Sequence, residues 1–448
     1  MSYYQQNYPN SYSMPPPPNA SGYNQSYPPG AFPSSYAPPQ NQAYLPPPSQ
    51  SPAFRDGYTP SYLPPPSQSP GAPQARNPPL PPPSQYTSYQ QQAQIIQYLN
   101  VPVPAPIGYE LPPQGDIAPG YDPTMDIDKI RKATKGFGTD EAALIAVLAN
   151  LPSLPMAEMS AAFKARTGKS LVEVLKSETS GYFGETLHGL VLGPLWYDVE
   201  LAREAIQGAG TNEFLLTEII ADRTNSDRQH LFIAYRMRYG RDLQADIRND
   251  LSGKTERMYT MILSSNTPPD NAPVDFQLVE RDVHALYKAG QGKIGTDEIT
   301  FCDIIINRSK THLAAICDAY GRKYKSLTKV IKSEFSGHMR DTLLFIVNGA
   351  KPKHAMEGPG VWRDAKLLEK SMKGLGTKDK QLVRRLVRYH WDKPRFEAVK
   401  AAYHKKYKKS LEGRVAGETS GDYKKLLVAI VQGCIRSHFH FGTFCCTV

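Results

Sequence analysis

One pattern recurs four times in this chain of 448 residues, and it constrains the fold more than anything else. A glycine-threonine turn appears as KGFGTDE at 135–141, QGAGTNE at 207–213, GKIGTDE at 292–298 and KGLGTKD at 373–379. Each is followed by an acid-x-Ser-Gly element at Glu178, Asp250, Glu334 and Glu418. The separations from Gly138, Gly210, Gly295 and Gly376 to those acids are 40, 40, 39 and 42 residues. Paired motifs at near-constant spacing define a structural repeat, and each repeat must be one supersecondary unit.

Each unit reads as helical. Apolar residues after the glycine turns fall at i, i+3, i+4 and i+7, as in Leu144, Val147, Leu148 and Leu151, or Leu382, Val383, Leu386 and Val387. Thr139, Thr211, Thr296 and Thr377 stand where helix N-caps are expected. A second helix starts near Lys169-Ser170-Leu171, Lys325-Ser326-Leu327 and Lys409-Ser410-Leu411. It is expected to end at the acid-x-Ser-Gly turn, with the glycine as its C-cap. Antiparallel helices would bring the two loops of a repeat together at one end of a bundle.

Those loops suit a hard cation. Calcium takes six to eight oxygens in a flexible shell, and three backbone carbonyls with one bidentate carboxylate supply five of them. A lipid phosphate oxygen could complete the shell.

The first 120 residues are different. They hold 31 of the 41 prolines and 14 of the 27 tyrosines, with a net charge of −1, leaving +11 on the rest. The hexapeptide LPPPSQ occurs three times, at Leu45, Leu63 and Leu80. So little aliphatic side chain predicts a disordered Pro/Tyr/Gln-rich head with short polyproline II stretches. It could serve as a spacer, dock a protein that reads proline-rich motifs, or self-associate.

Several classes are excluded or disfavoured. There is no apolar run near 18 residues and no apolar segment at the N-terminus, so neither a membrane-spanning helix nor a secretory signal is expected. Five cysteines without a CxxC pair give neither a disulfide framework nor a structural zinc site, which points to a reducing cytoplasmic setting and leaves the sequons at Asn19, Asn24 and Asn307 unused. No EF-hand, nucleophile-triad, HExxH or phosphate-loop pattern is present, so no enzymatic activity is expected. Gly253-Lys254-Thr255 belongs to an acid-x-Ser-Gly turn. The tail residues His438, His440, Cys445 and Cys446 form no metal motif.

The paired motifs resemble the annexin family over about residues 122–436, and the Pro/Tyr-rich head is similar to that of long-headed and fungal annexins. The resemblance implies an all-α fold: four repeats of about five helices in a curved disc, with calcium loops on the convex face. The implied organisation is head 1–120, repeats at 121–192, 193–265, 279–350 and 361–436, a linker at 266–278 and a tail at 437–448. The implied activity is calcium-dependent binding of acidic phospholipids, with peripheral membrane association when calcium rises. Carried over, the first site uses carbonyls of Thr134, Gly136 and Gly138 with Glu178. The second uses Ile206, Gly208, Gly210 and Asp250. The third uses Gly290, Lys293, Gly295 and Glu334, and the fourth Met372, Gly374, Gly376 and Glu418. Thr139 and Glu141 form a minor site.

Departures from the family pattern rank the sites. Repeat one has Pro152 and Pro155 where an Arg-Ser or Arg-Thr pair is usual, which questions its helix packing. Repeat three is one residue short from glycine to acid. Repeat four is two residues long and has Lys378 where an acid is usual, a repulsive neighbour for calcium. Repeats two and one come first, then four, then three. The alternative is a calcium-independent scaffold or RNA-associated protein acting through the head and the basic core.

Overall fold

The computed structural model describes residues 94–106, 117–136, 138–292, 295–354 and 357–433. Most of the head, the tail with Cys434, Cys445 and Cys446, and Lys293 lie outside the described residues.

The described core is built of helices α1 to α19, with one small hairpin. Repeat one comprises α1 (Thr124–Ala133), α2 (Glu141–Leu148), α3 (Ser153–Thr167), α4 (Leu171–Glu178) and the first part of α5 (Gly181–Ile206). Repeat two takes the rest of α5, then α6 (Glu213–Ile220), α7 (Asn225–Tyr239), α8 (Leu243–Asp250) and α9 (Gly253–Ser264). Gly193, at φ 72° and ψ 174° and followed by Pro194, breaks α5 between the two repeats. Repeat three is α10 (Phe276–Ala289), α11 (Glu298–Asn307), α12 (Lys310–Lys323), α13 (Leu327–Glu334) and α14 (Gly337–Ala350). Repeat four is α15 (Val361–Met372), α16 (Asp379–His390), α17 (Lys393–Tyr407), α18 (Leu411–Glu418) and α19 (Gly421–Gln432).

The predicted apolar stripes face inward. Leu144, Val147 and Leu148 of α2, and Leu382, Val383, Leu386 and Val387 of α16, are buried in one continuous core. Repeats two and three pack on each other through α9 and α14. Repeat four packs back on repeat one through α16 and α19 against α2 and α5. The Tyr182 and Tyr423 rings, 5.6 Å apart, mark that seam.

The N-caps are not the threonines. They are the next residues, Asp140, Asn212, Asp297 and Lys378, because the threonine hydroxyls are engaged across the repeat. The glycine of acid-x-Ser-Gly is not a C-cap either. Each acid ends its helix, the following residue is extended, and Gly181, Gly253, Gly337 and Gly421 open the next helix at φ 55–61°. The prolines of repeat one are accommodated: Pro155 lies in the first turn of α3, where the missing amide hydrogen has no partner to lose.

Residues 94–106, assigned by composition to the head, are ordered. Strands β1 (Ile95–Tyr98) and β2 (Val101–Pro104) pair antiparallel across a two-residue turn, with Leu99 and Asn100 at φ 55° and 62°. Tyr98, Val101 and Val103 are buried against the repeats. Ser153 Oγ donates to Pro102 O at 2.6 Å, and Leu99 N donates to Asp227 Oδ1 at 2.9 Å. Pro102 and Pro104 are tolerated because a two-stranded ribbon leaves each strand an outer edge.

Candidate functional site

Each glycine loop is closed in the same way. The N-cap amide of the second helix donates back to the carbonyl of the last or penultimate residue of the first. Asp140 N bonds Ala133 O at 2.9 Å, Asn212 N bonds Ala205 O at 2.8 Å, Asp297 N bonds Ala289 O at 2.7 Å and Lys378 N bonds Ser371 O at 2.8 Å. The carbonyl that follows in each case belongs to Thr134, Ile206, Gly290 or Met372, at a helix end where carbonyls lack intrahelical partners.

Three of the loops share one backbone path. Gly136 and Gly138 have φ of 116° and 81°, Gly208 and Gly210 of 114° and 85°, and Gly374 and Gly376 of 120° and 80°. A Cβ at any of these six would meet nothing within 4 Å. Backbone dihedral, not crowding, therefore selects glycine there, and the space before the loop is open. The third loop has one more residue between its closing partners. Gly295 keeps φ 83°, but Gly290 is buried against Phe301 at φ −119°.

The acid meets the glycine loop in all four repeats. Thr211 Oγ1 donates to Asp250 Oδ2 at 2.6 Å, Thr296 Oγ1 to Glu334 Oε2 at 2.7 Å and Thr377 Oγ1 to Glu418 Oε2 at 2.9 Å. Thr139 instead donates to the Glu178 carbonyl oxygen at 2.8 Å. Glu178, Asp250, Glu334 and Glu418 are all half-buried at helix ends. Glu141 opens α2 and is also half-buried.

The length changes lie away from the loops. The two extra residues of repeat four fall between the start of α16 and the cap of α17 at Asp392. The residue missing from repeat three falls between the caps of α12 and α13, where Tyr324 stands in place of the left-handed Gly168 and Gly240 of α3 and α7. An eight-residue helix, about 12 Å long, separates that junction from Glu334. Neither change disturbs the contact between threonine and acid.

Among the described residues, no group of three His, Cys, Asp or Glu side chains is placed to hold a metal ion. What each repeat offers is a backbone turn plus one carboxylate, the hard-oxygen chemistry that calcium takes. Loops one and two leave the helix-end carbonyl and the acid without an arginine across them among the described residues. Loop four has the same backbone, yet Arg414 donates to both Met372 O and Glu418. Neither motif predicted this arginine, because its role depends on a contact 42 residues away.

A second polar cluster sits at the centre, where repeats two and four meet. Asp198 accepts from Tyr98 Oη at 2.8 Å, Arg223 Nη2 at 2.8 Å and Arg388 Nη2 at 3.0 Å. Arg385 pairs with Glu218, whose carboxyl is held below its usual range: burial pushes it up, but Arg385 and its neighbours outweigh burial. Burial and the Asp198 charge raise the Tyr98 hydroxyl well above its ordinary value. This cluster joins the hairpin to the core.

Four five-helix repeats, each with a glycine turn tied by its threonine to the residue bearing the acid, define a class of helical repeat protein. The annexin family model matches residues 125–190, 197–262, 281–346 and 363–430. The chain belongs to the annexin family. It is 46% identical over 341 residues to Annexin C1 of Cryptococcus neoformans var. grubii, covering 75% of this chain and 70% of that protein. It is 39% identical over 322 residues to human Annexin A7, covering 71% and 64% respectively, so it spans just under two thirds of that relative. Among solved structures, annexin III superposes with a TM-score of 0.64 at 30% identity, over 73% of this chain and 97% of that one. Calcium-bound annexin (Sm)1 gives 0.60 at 26% identity, over 73% and 94%. Annexins generally bind acidic phospholipids with calcium and are generally not enzymes. Among the described residues, no helix is long and apolar enough to cross a membrane.

Proposed function

We propose that this chain is a calcium-switched peripheral binder of anionic phospholipid membranes, without enzymatic activity, acting from the cytoplasm through loops one and two. The observation that carries the reading is the shared loop path at Gly136/Gly138 and Gly208/Gly210, each tied by a threonine to the segment bearing its acid. Thr134, Gly136 and Gly138 with Glu178, and Ile206, Gly208 and Gly210 with Asp250, hold the ion. Thr139 and Glu141 contribute a minor site. Calcium, when bound, supplies the positive charge that joins a loop to a lipid phosphate. The chain supplies the rest. Glycine turns present backbone oxygen, and Thr211 orients Asp250. The lack of a dense carboxylate cluster keeps affinity low until lipid oxygens complete the shell. The third loop, with Gly290 buried, is the poorest of the four. Membrane organisation or trafficking follows from such binding, and the Pro/Tyr-rich head is the candidate for protein partners or self-association.

The test is co-sedimentation with phosphatidylserine vesicles across a calcium titration. The parent should pellet with calcium and release with a chelator. Glu178→Ala combined with Asp250→Ala should raise the calcium required by about tenfold or more, equivalent to ~1.4 kcal/mol. Binding that ignores calcium in both proteins would remove the reading.

A further inference from the structure

The fourth repeat carries the chain's positive charge. Residues 361–436 hold 20 Lys and Arg against 8 Asp and Glu, a balance of +12 in a chain whose total is +10. Everything outside that repeat therefore sums to −2.

Its loop is also filled from within. Arg414 lies one helical turn before Glu418 on α18. Its Nη2 donates to Met372 O at 2.6 Å, its Nη1 donates to Glu418 Oε1, and Thr377 holds the other carboxylate oxygen. The equivalent positions before Glu178, Asp250 and Glu334 are Val174, Asp246 and Val330. Among the described residues, only this repeat sets a guanidinium on both the helix-end carbonyl and the acid of its loop. Glu369 supports it from behind: Arg414 Nε is 3.4 Å from Glu369 Oε2, which also accepts from Tyr403. A planar fork of donors suits this pair of oxygens and neutralises Glu418 without calcium.

The surroundings point outward to an anionic partner. Leu375, between the two loop glycines, is fully exposed. Lys373, Lys378 and Lys380 around it are exposed as well. Lysines around a protruding apolar side chain match a bilayer surface, with anionic headgroups for the ammonium groups and the interface for Leu375. A nucleic acid offers the charge but no apolar layer for a lone leucine.

We propose that the fourth repeat docks the chain on anionic phospholipid without calcium, with Arg414 in place of the ion and Leu375 at the point of contact. This rests on the reading of the glycine loops as membrane-facing, and assigns this one a separate, electrostatic mode.

The experiment uses the full chain in a calcium chelator, with vesicles of equal parts phosphatidylcholine and phosphatidylserine, pure phosphatidylcholine vesicles, and poly(U) RNA as a competing polyanion. The expected result is pelleting on the mixed vesicles at low salt, lost as salt rises and absent on pure phosphatidylcholine. Leu375→Ser with Lys378→Glu, both exposed, should weaken it about tenfold without lowering the melting temperature. Arg414→Gln should weaken chelator-phase binding and lower the calcium needed for full binding. Arg414→Lys, which keeps the charge, should retain chelator-phase binding. No pelleting on mixed vesicles in chelator, pelleting that Leu375→Ser/Lys378→Glu leaves unchanged, or RNA binding without vesicle binding would each overturn the proposal. The calcium-driven increment at physiological salt is read separately. Its loss with chelator-phase binding intact removes only the earlier calcium reading, and the reverse removes only this one.

Discussion

Thr211 Oγ1 sits 2.6 Å from Asp250 Oδ2 and joins two loops that lie 39 residues apart in sequence. The bond pre-sets the carboxylate in a half-buried position, so its loss should register in both stability and ion binding. Thr211→Val should lower stability by about 1 kcal/mol and raise the calcium needed for vesicle binding about fivefold. Urea unfolding and a calcium titration of vesicle binding measure the two effects. A stability loss with unchanged calcium demand would show that the bond is structural only.

Repeat four departs from its siblings at two helix ends. Asp140, Asn212 and Asp297 cap their helices by accepting from the amides of Ala143, Leu215 and Thr300, at 2.9, 3.2 and 3.1 Å. Lys378 stands at the same position of α16 and has no oxygen to offer. Lys408 takes the left-handed conformation, φ 58°, that Gly168 and Gly240 take in α3 and α7. Lys378→Asp should stabilise the protein by about 1 kcal/mol. Lys408→Gly should add roughly 0.5–1 kcal/mol. The urea midpoint reads both. Lys378→Asp should at the same time weaken binding to anionic vesicles in chelator, a cost that stability alone would not disclose.

The hairpin hangs on Tyr98. Its hydroxyl donates to Asp198, which retains Arg223 and Arg388 when that donor is removed. Tyr98→Phe should therefore cost only about 1 kcal/mol, felt locally. Hydrogen exchange at Leu99, whose amide bonds Asp227, should quicken while the core melt stays nearly fixed. Leu99→Gly should act in the opposite direction, because the turn asks a leucine to hold φ 55°. Equal exchange in all three proteins would detach the hairpin from this anchor.

Acid should weaken the fold through His390. Burial and then the Lys393 ammonium push its pKa down to about 3. The folded state thus leaves it neutral where an unfolded chain binds a proton, near pH 6.5 and below. Stability is lost as pH falls from about 6.5 toward about 3, by up to ~1.4 kcal/mol per pH unit. His390→Gln should flatten the dependence of unfolding free energy on pH between 6 and 5 by about one proton. An unchanged slope would mean that other groups dominate the acid limb.

What the sequence made legible was local or periodic. The glycine turns, the acids and the apolar stripes of α2 and α16 each have a signature within a few residues, and four copies made them plain. Helix ends were read one residue off, because Thr211 and Asn212 are both good caps. Only the cross-repeat bond to Asp250 decides between them. The run IIQYLNVPVP carried a hairpin signal in the alternating pairs Ile96/Tyr98 and Val101/Val103, but the proline-rich surroundings diluted it. Arg414 on Met372, and Arg385 on Glu218 across 167 residues, had no local signature, since such pairs exist only once distant helices meet.

The seam between Tyr182 and Tyr423 sets a limit on how the family's plan can vary in this chain. An open stack of repeats can gain or lose a unit at either end and needs only a polar end cap. Here the last repeat is the cap of the first. A fifth unit would have no face to meet, and removing the fourth would strip α2 and α5 of their apolar cover. The count of four is thus a closure condition, as a ring of masonry admits only the number of stones that brings the last against the first.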